Sequence, residues 1–284
     1  MRVRTRLAAL TAAIGSLLLG GCESALFAFA NKGVDPPEAS VAFAPEQGLS
    51  LDVYRPQGTG RTAAPVVVFF YGGGWTRGAR DQYAFVGRRL AQNGVLAIVA
   101  DYRLHPQTTF PGFVEDGAKA VRWARDNAVA YGGDAGRLYV MGHSAGAQIG
   151  GLIATDPRYL AAQGMKRSDL AGFIGMAGPF DFTVGKYAPI FGPPAQWPQA
   201  MTLNYVDAGA PPMLLIHGTD DDVTWPRNST RVADKARAAG VRTELLLIEG
   251  GKHTTSVQAF FNPERSPTVL PAVLAFVRGG AGGQ

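Results

Sequence analysis

From Leu49 onward, short apolar runs alternate with amphipathic stretches. Leu49–Tyr54 reads as a short strand. Pro65–Tyr71 is a dense β-branched and aromatic run of the kind that fills a buried parallel strand. Asp81–Asn93 follows with Tyr83, Phe85, Val86 and Leu90 at helical spacing and Gly94 as its stop. Val95–Tyr102 is the next strand. Phe113–Tyr131 is helical, with Val114, Ala118, Val121, Trp123 and Ala124 on the apolar side. Leu138–Met141 reads as a strand and Gln148–Ala154 as a helix. Leu170–Met176, Met213–His217 and Thr243–Ile248 are further strands, with helices over Thr230–Ala239 and Val269–Val277. This alternation predicts mostly parallel strands joined by right-handed crossovers, a doubly wound α/β sheet with helices on both faces. No internal repeat or second domain shows in the pattern. Residues 180–210 break the rhythm with Pro189, Pro193, Pro194, Pro198, Phe191 and Trp197, which predicts an irregular loop or cap.

The N-terminus has a different pattern. Arg2, Arg4 and Arg6 form a positive region, Leu7 to Leu19 an uncharged apolar run, and Leu19-Gly20-Gly21-Cys22 closes it. The layout is that of an export signal whose apolar run is too short to span a membrane comfortably. Its ending resembles the bacterial lipoprotein signal, which implies that residues 1–22 end at a lipid-bearing Cys22, with several acyl chains giving stable anchorage. Glu23 after the cysteine implies the outer membrane, facing the periplasm. Residues 23–43, with Asp35-Pro36-Pro37-Glu38, read as a linker. Residues 44–280 then read as one domain, since about 240 residues suit a single core.

Composition narrows the function classes. Of 284 residues, 27 are basic and 22 acidic, a net charge of +5 without any long basic block beyond the N-terminus, so nucleic-acid binding finds no support. The lone cysteine excludes an internal disulfide framework and a cysteine-rich metal site.

The chemistry starts at Gly142-His143-Ser144-Ala145-Gly146. A strand running straight into a helix places a serine on a tight, exposed turn, with small flanking residues giving the backbone room. Together with Tyr71-Gly72-Gly73-Gly74-Trp75 and Asp101-Tyr102-Arg103-Leu104, this resembles the hormone-sensitive-lipase-like and formamidase-like (BD-FAE-like) branch of α/β-hydrolases, from about Leu49 to about Val277. The resemblance implies the α/β-hydrolase fold, a serine esterase activity through an acyl-enzyme on Ser144, a small-molecule ester substrate and no cofactor. It implies oxyanion donors at the Gly73, Gly74 and Ala145 N–H groups. The branch has a histidine where this chain has Tyr71, which leaves the surroundings of that loop open.

Four histidines are available as base. His143 sits inside the turn, His105 lies upstream in a proline-containing loop, and His217 ends a strand before Gly218. His253 follows the last strand and fits the order serine, acid, histidine of the branch. The acid falls among Asp220, Asp221 and Asp222; the branch pattern His-Gly-x-x-Asp favours Asp221, which would fix the tautomer of His253. No second ligand cluster accompanies the three carboxylates, so metal binding is not expected.

Trp75, Phe180, Phe191, Trp197 and Trp225 are candidates for the pocket lining, Asp181 reads as structural, and Asp101 with Arg103 as a fold-stabilising pair. An amidase of the same fold is the alternative chemistry. A decayed hydrolase fold serving as an envelope binding protein is the alternative class, opposed by the presence of nucleophile, base and oxyanion loop together.

Overall fold

The computed structural model describes residues 25–58 and 62–279. Cys22 and the export signal lie outside the described residues. Eight strands form one sheet: β1 Ala39–Ala44, β2 Leu49–Tyr54, β3 Ala64–Phe70, β4 Leu96–Ala100, β5 Gly133–His143, β6 Gly172–Met176, β7 Met213–Gly218 and β8 Thr243–Ile248, in the order β1-β2-β4-β3-β5-β6-β7-β8. β1–β2 and β2–β4 pair antiparallel; every other pairing is parallel. All seven residues of β3 are buried, as its unbroken apolar run requires of a central parallel strand.

The helices are α1 (residues 25–30), α2 Ala84–Gln92, α3 Gly112–Asn127, α4 Ala145–Thr155, α5 Pro157–Ala161, α6 Ala188–Phe191, α7 Arg227–Ala238, α8 Thr255–Gln258 and α9 Val269–Val277. Successive strand residues point to opposite faces. Tyr139 packs on Phe276 of α9, with ring centroids 5.8 Å apart, while its neighbour Val140 meets Gly150 of α4. The two helices therefore cover opposite faces, and α3 joins α4 on its side, where Gly117 lies against Ile149, Ile153 and Phe70.

Two differences from the sequence reading stand out. The segment 23–43 was expected as a linker, yet its described part is built into the domain: Ala39–Ala44 forms the edge strand β1, and α1 docks through Asn31, whose Nδ2–H donates to the Gln82 carbonyl and whose Oδ1 accepts from Phe85 N–H, both at 2.9 Å. The adjoining prolines masked a short strand whose apolar positions, Val41 and Phe43, are only half-buried. Asp101 and Arg103 do not pair with each other. Asp101 binds Arg80 at 2.5 Å, and Arg103 makes a two-pronged contact at 2.8 Å with the fully buried Asp116. Residues 180–210, read as an irregular loop or cap, hold α6 and several short 3-10 turns.

Candidate active site

The loops after β3, β5, β7 and β8 all leave the sheet at its carboxyl edge, where open α/β sheets place their ligands. Ser144 joins β5 to α4 with φ 53° and ψ −121°, a strained conformation for a residue with a side chain. The turn closes so tightly that a Cβ on Gly142 would lie 2.2 Å from the Gly146 carbonyl oxygen, and one on Gly146 would lie 2.1 Å from that of Phe70. The glycines flanking the serine are thus demanded by backbone-to-backbone contact.

His253 Nε2 lies 2.9 Å from Ser144 Oγ, and its Nδ1 lies 2.9 Å from Asp221 Oδ2. Of the three adjacent aspartates, Asp221 alone is buried; Asp220 and Asp222 are exposed, and Asp220 lies 4.0 Å from Lys252. Asp221 is held from every side. Its Oδ1 accepts from the Val223 and Thr224 N–H groups at 2.9 Å each, and its Oδ2 also has Thr224 Oγ at 2.9 Å and His217 Nε2 at 3.1 Å. Burial alone would raise its pKa; the hydrogen bonds from His217 and His253 overcome this and hold the carboxyl well below the usual carboxylate range. A charged acceptor in that position keeps the proton of neutral His253 on Nδ1, which leaves Nε2 free to take one from the serine.

His217 is the support beneath the acid. Its Nε2 faces two acceptors, the Thr224 carbonyl at 2.6 Å and Asp221, so Nε2 carries the proton and Nδ1 accepts from Ser229 Oγ at 2.7 Å. His143, inside the elbow, is buried, and its Nε2–H donates to the His253 carbonyl at 3.1 Å. Burial, with the neighbouring His253 imidazole adding to it, pushes its pKa down to about 3, so it stays neutral wherever the site works.

Gly72, Gly73, Gly74 and Ala145 all line the cleft in front of Ser144. Ala145 opens α4, so its N–H has no acceptor within the helix. The Gly73 carbonyl accepts from Thr76 and Arg77 N–H, while the Gly73 and Gly74 N–H groups have no backbone acceptor among the described residues. Gly73 adopts φ 140°, where a Cβ would collide with the Arg77 carbonyl at 1.9 Å. Gly73, Gly74 and Ala145, to which the resemblance assigns the oxyanion donors, therefore line one space with Ser144. Tyr71, standing where a histidine was expected, stacks on Tyr102 and Tyr83 and reaches Asp101 Oδ1 at 3.2 Å.

The cleft measures about 1050 Å³, at the upper end of sites for small molecules. Its lining includes the apolar Phe27, Phe85, Val257 and Phe261, and Trp75, whose ring packs on Phe182 and Tyr187 of the segment 180–210. Trp75 and Trp225 line it as expected, whereas Phe180 and Phe191 are core residues and Trp197 caps the Gly192 carbonyl at 2.9 Å. Asp181 lines the cleft too, paired with Arg231. Sequence reasoning missed Gln148. This fully buried amide accepts from Trp75 Nε1–H at 3.1 Å and donates to the Ala200 carbonyl at 2.9 Å. Its one signal was a lone polar residue within the apolar run Ala147–Ala154.

An eight-stranded sheet of this order, with serine, acid and histidine after β5, β7 and β8, defines the α/β-hydrolase fold. The chain belongs to the BD-FAE family, which matches residues 51–236. It is similar to a probable isoprenylcysteine alpha-carbonyl methylesterase from Oryza sativa, 30% identical over 76% of this chain and 57% of that one. It is similar also to an esterase from Mycobacterium tuberculosis, 30% identical over 70% of this chain and 54% of that one. The chain thus spans little more than half the length of these two relatives. Among solved structures, esterase 2 of Thermogutta terrifontis shares the fold with a TM-score of 0.73, at 22% identity over 88% of this chain and 97% of that one.

Proposed function

We propose that this protein is a serine hydrolase of carboxylic esters. The observation that carries the reading is the continuous chain of contacts from Ser144 Oγ through His253 to a buried, charged Asp221, each link 2.9 Å, with Gly73, Gly74 and Ala145 lining the same cleft. Ser144 attacks the ester carbonyl while His253 Nε2 takes its proton. The Gly73, Gly74 and Ala145 N–H groups receive the negative charge that develops on the carbonyl oxygen. His253 then protonates the departing alcohol, leaving an acyl group on Ser144, and afterwards activates the water that removes it. Asp221 keeps the imidazole in the right tautomer and stabilises it when charged. Ester rather than amide substrates are supported by the relatives, which are named as esterases.

We further propose that Cys22 carries a lipid anchor that holds the domain at the outer membrane, facing the periplasm; the run Leu19-Gly20-Gly21-Cys22 supports this. Labelling with a fluorophosphonate probe tests the hydrolase reading. The expected result is one labelled serine, with labelling abolished in Ser144→Ala. Unchanged labelling in that variant, or none in the intact protein, would overturn it.

A further inference from the structure

Among the described residues, six large apolar side chains are exposed: Leu26, Phe29, Val129, Val223, Trp225 and Leu247. Their placement is uneven. Leu26, Val223 and Trp225, exposed by 42%, 64% and 53%, line the catalytic cleft at its rim. Phe29, exposed by 68%, lies on α1 three positions after Leu26, on the same helix face, and its ring packs edge-on to Phe261 of the cleft wall. Water is a poor partner for such a patch, and its location says what covers it.

Leu26 follows Cys22 by four positions. Whatever path the intervening residues take, four residues of chain reach no further than about 14 Å. A lipid on Cys22 therefore brings the bilayer surface to the rim of the cleft, since the headgroup layer is itself roughly 5–8 Å deep. The rim also carries the side-chain pairs that suit a headgroup layer. The Arg227 guanidinium lies 4.3 Å over the Trp225 ring, and the Lys186 ammonium 5.2 Å over that of Tyr187. Phe27, Phe85, Val257 and Phe261 line the same cleft as Ser144, and the Phe85 and Phe261 rings pack edge to face at 5.3 Å.

We propose that the cleft opens onto the bilayer, with Leu26, Phe29, Val223 and Trp225 seated in it, and that the substrates are esters dissolved in the lipid phase, entering past the apolar side chains Phe27, Phe85, Val257 and Phe261. The inference rests on the lipid anchor and on the esterase reading above. An ester then passes from membrane to nucleophile without crossing water, and the anchor sets the orientation of the enzyme as well as its address.

The test uses the full, lipidated chain in vesicles of phosphatidylethanolamine and phosphatidylglycerol, with and without brominated acyl chains that quench tryptophan on contact. Three emitters are compared: native Trp225, read as the difference between the protein and Trp225→Phe; a rim reporter in Phe29→Trp; and a distant reporter in Val129→Trp. Val129 lies just before β5, at the opposite end of that strand from Ser144, roughly 30 Å away. Quenching of the Trp225 and Phe29→Trp signals with the Val129→Trp signal spared is the expected result. Equal quenching of all three, or quenching of Val129→Trp alone or of none, overturns the orientation; the last is also what a protein partner on the patch would give. In a second arm, Phe29→Asp lowers turnover of a long-chain ester dissolved in the vesicles several-fold and leaves turnover of a water-soluble acetyl ester unchanged; equal effects on the two overturn the route. Quenching needs no turnover, so rim contact without any ester hydrolysis would sink the esterase reading alone. The mass of the N-terminal peptide reports the anchor separately, and an unmodified Cys22 overturns the inference at its base.

Discussion

Replacing Gln148 by leucine removes the bridge between the oxyanion loop and the 180–210 segment at nearly constant volume. Gln148 has no exposed surface, and its two partners, Trp75 Nε1–H and the Ala200 carbonyl, are buried with it. Leucine satisfies neither. A buried polar group left without a partner costs about 1–3 kcal/mol, and removing the amide returns part of that, so a net loss of about 2–4 kcal/mol is expected. The consequence for activity follows from the backbone. Trp75 sits at φ 61°, directly after Gly74, a conformation a tryptophan holds only when its side chain is fixed. Phe182 and Phe191 pack on the ring, and among the described residues the indole N–H makes the one hydrogen bond that helps to set its rotation. With that contact gone, Trp75 relaxes and the Gly74 N–H shifts with it. Complete loss of one oxyanion donor costs about 100- to 1000-fold in kcat, so a partial displacement should cost roughly tenfold with KM little changed. Urea unfolding measures the first quantity and steady-state hydrolysis of a water-soluble p-nitrophenyl ester the second. Wild-type stability would refute the burial argument. A destabilised variant with wild-type kcat would refute the link from Gln148 to the oxyanion loop.

Asp221→Asn keeps the shape of the acid and removes its charge, so His253 loses its tautomer control; kcat for the same ester should fall by about 10⁴-fold with native circular dichroism, and a fall below tenfold would move the role to Asp220 or Asp222. His143 titrates near pH 3 when folded against an ordinary value of 6.5. As pH drops below 6.5 the unfolded chain takes a proton that the folded one refuses, so stability present above that pH is lost on the way to pH 3, at up to about 1.4 kcal/mol per pH unit. His143→Gln should flatten the stability profile over that window in urea titrations; a profile as steep as that of the wild type would contradict the assignment. Asp116→Ala strands the Arg103 guanidinium against the core and should cost about 3–5 kcal/mol in the same assay, whereas Asp134→Ala, at an exposed pair with Arg137, should cost under 1 kcal/mol.

The central strands were legible because their signal is local. Pro65–Tyr71 and Met213–Ile216 are apolar without interruption, which a buried parallel strand needs and a helix of that length does not. Ser144 and Gly73 were legible for a related reason: a backbone that leaves no space for a Cβ writes its demand into the sequence as glycine. Asp221 could be separated from its neighbours only in three dimensions, because the choice depends on which carboxylate faces His217 and His253, and Asp220 and Asp222 differ from it by one step along the chain. Arg103 was paired with Asp101 on proximity in sequence, yet both lie beyond the end of β4, where no strand alternation fixes their sides; Asp101 is taken by Arg80, and the partner of Arg103 proved to be Asp116 on α3. Gln148 carried no motif at all; its meaning lies in two groups remote in sequence, Trp75 and Ala200, that only the folded chain brings within reach. The helix at 25–30 was hidden in the same way, since its worth comes from Tyr83, Phe85 and Phe261 rather than from its own six residues.

The acyl-enzyme on Ser144 is the claim on which the rest depends, and trapping it is the most direct measurement. Rapid mixing with p-nitrophenyl acetate, acid quenching and peptide mass analysis should find one acetyl group on the peptide that contains Ser144, in step with a burst of one p-nitrophenolate per chain. Neither should occur in Ser144→Ala. A burst that survives this substitution, or hydrolysis with the acetyl group on another residue, would contradict the account.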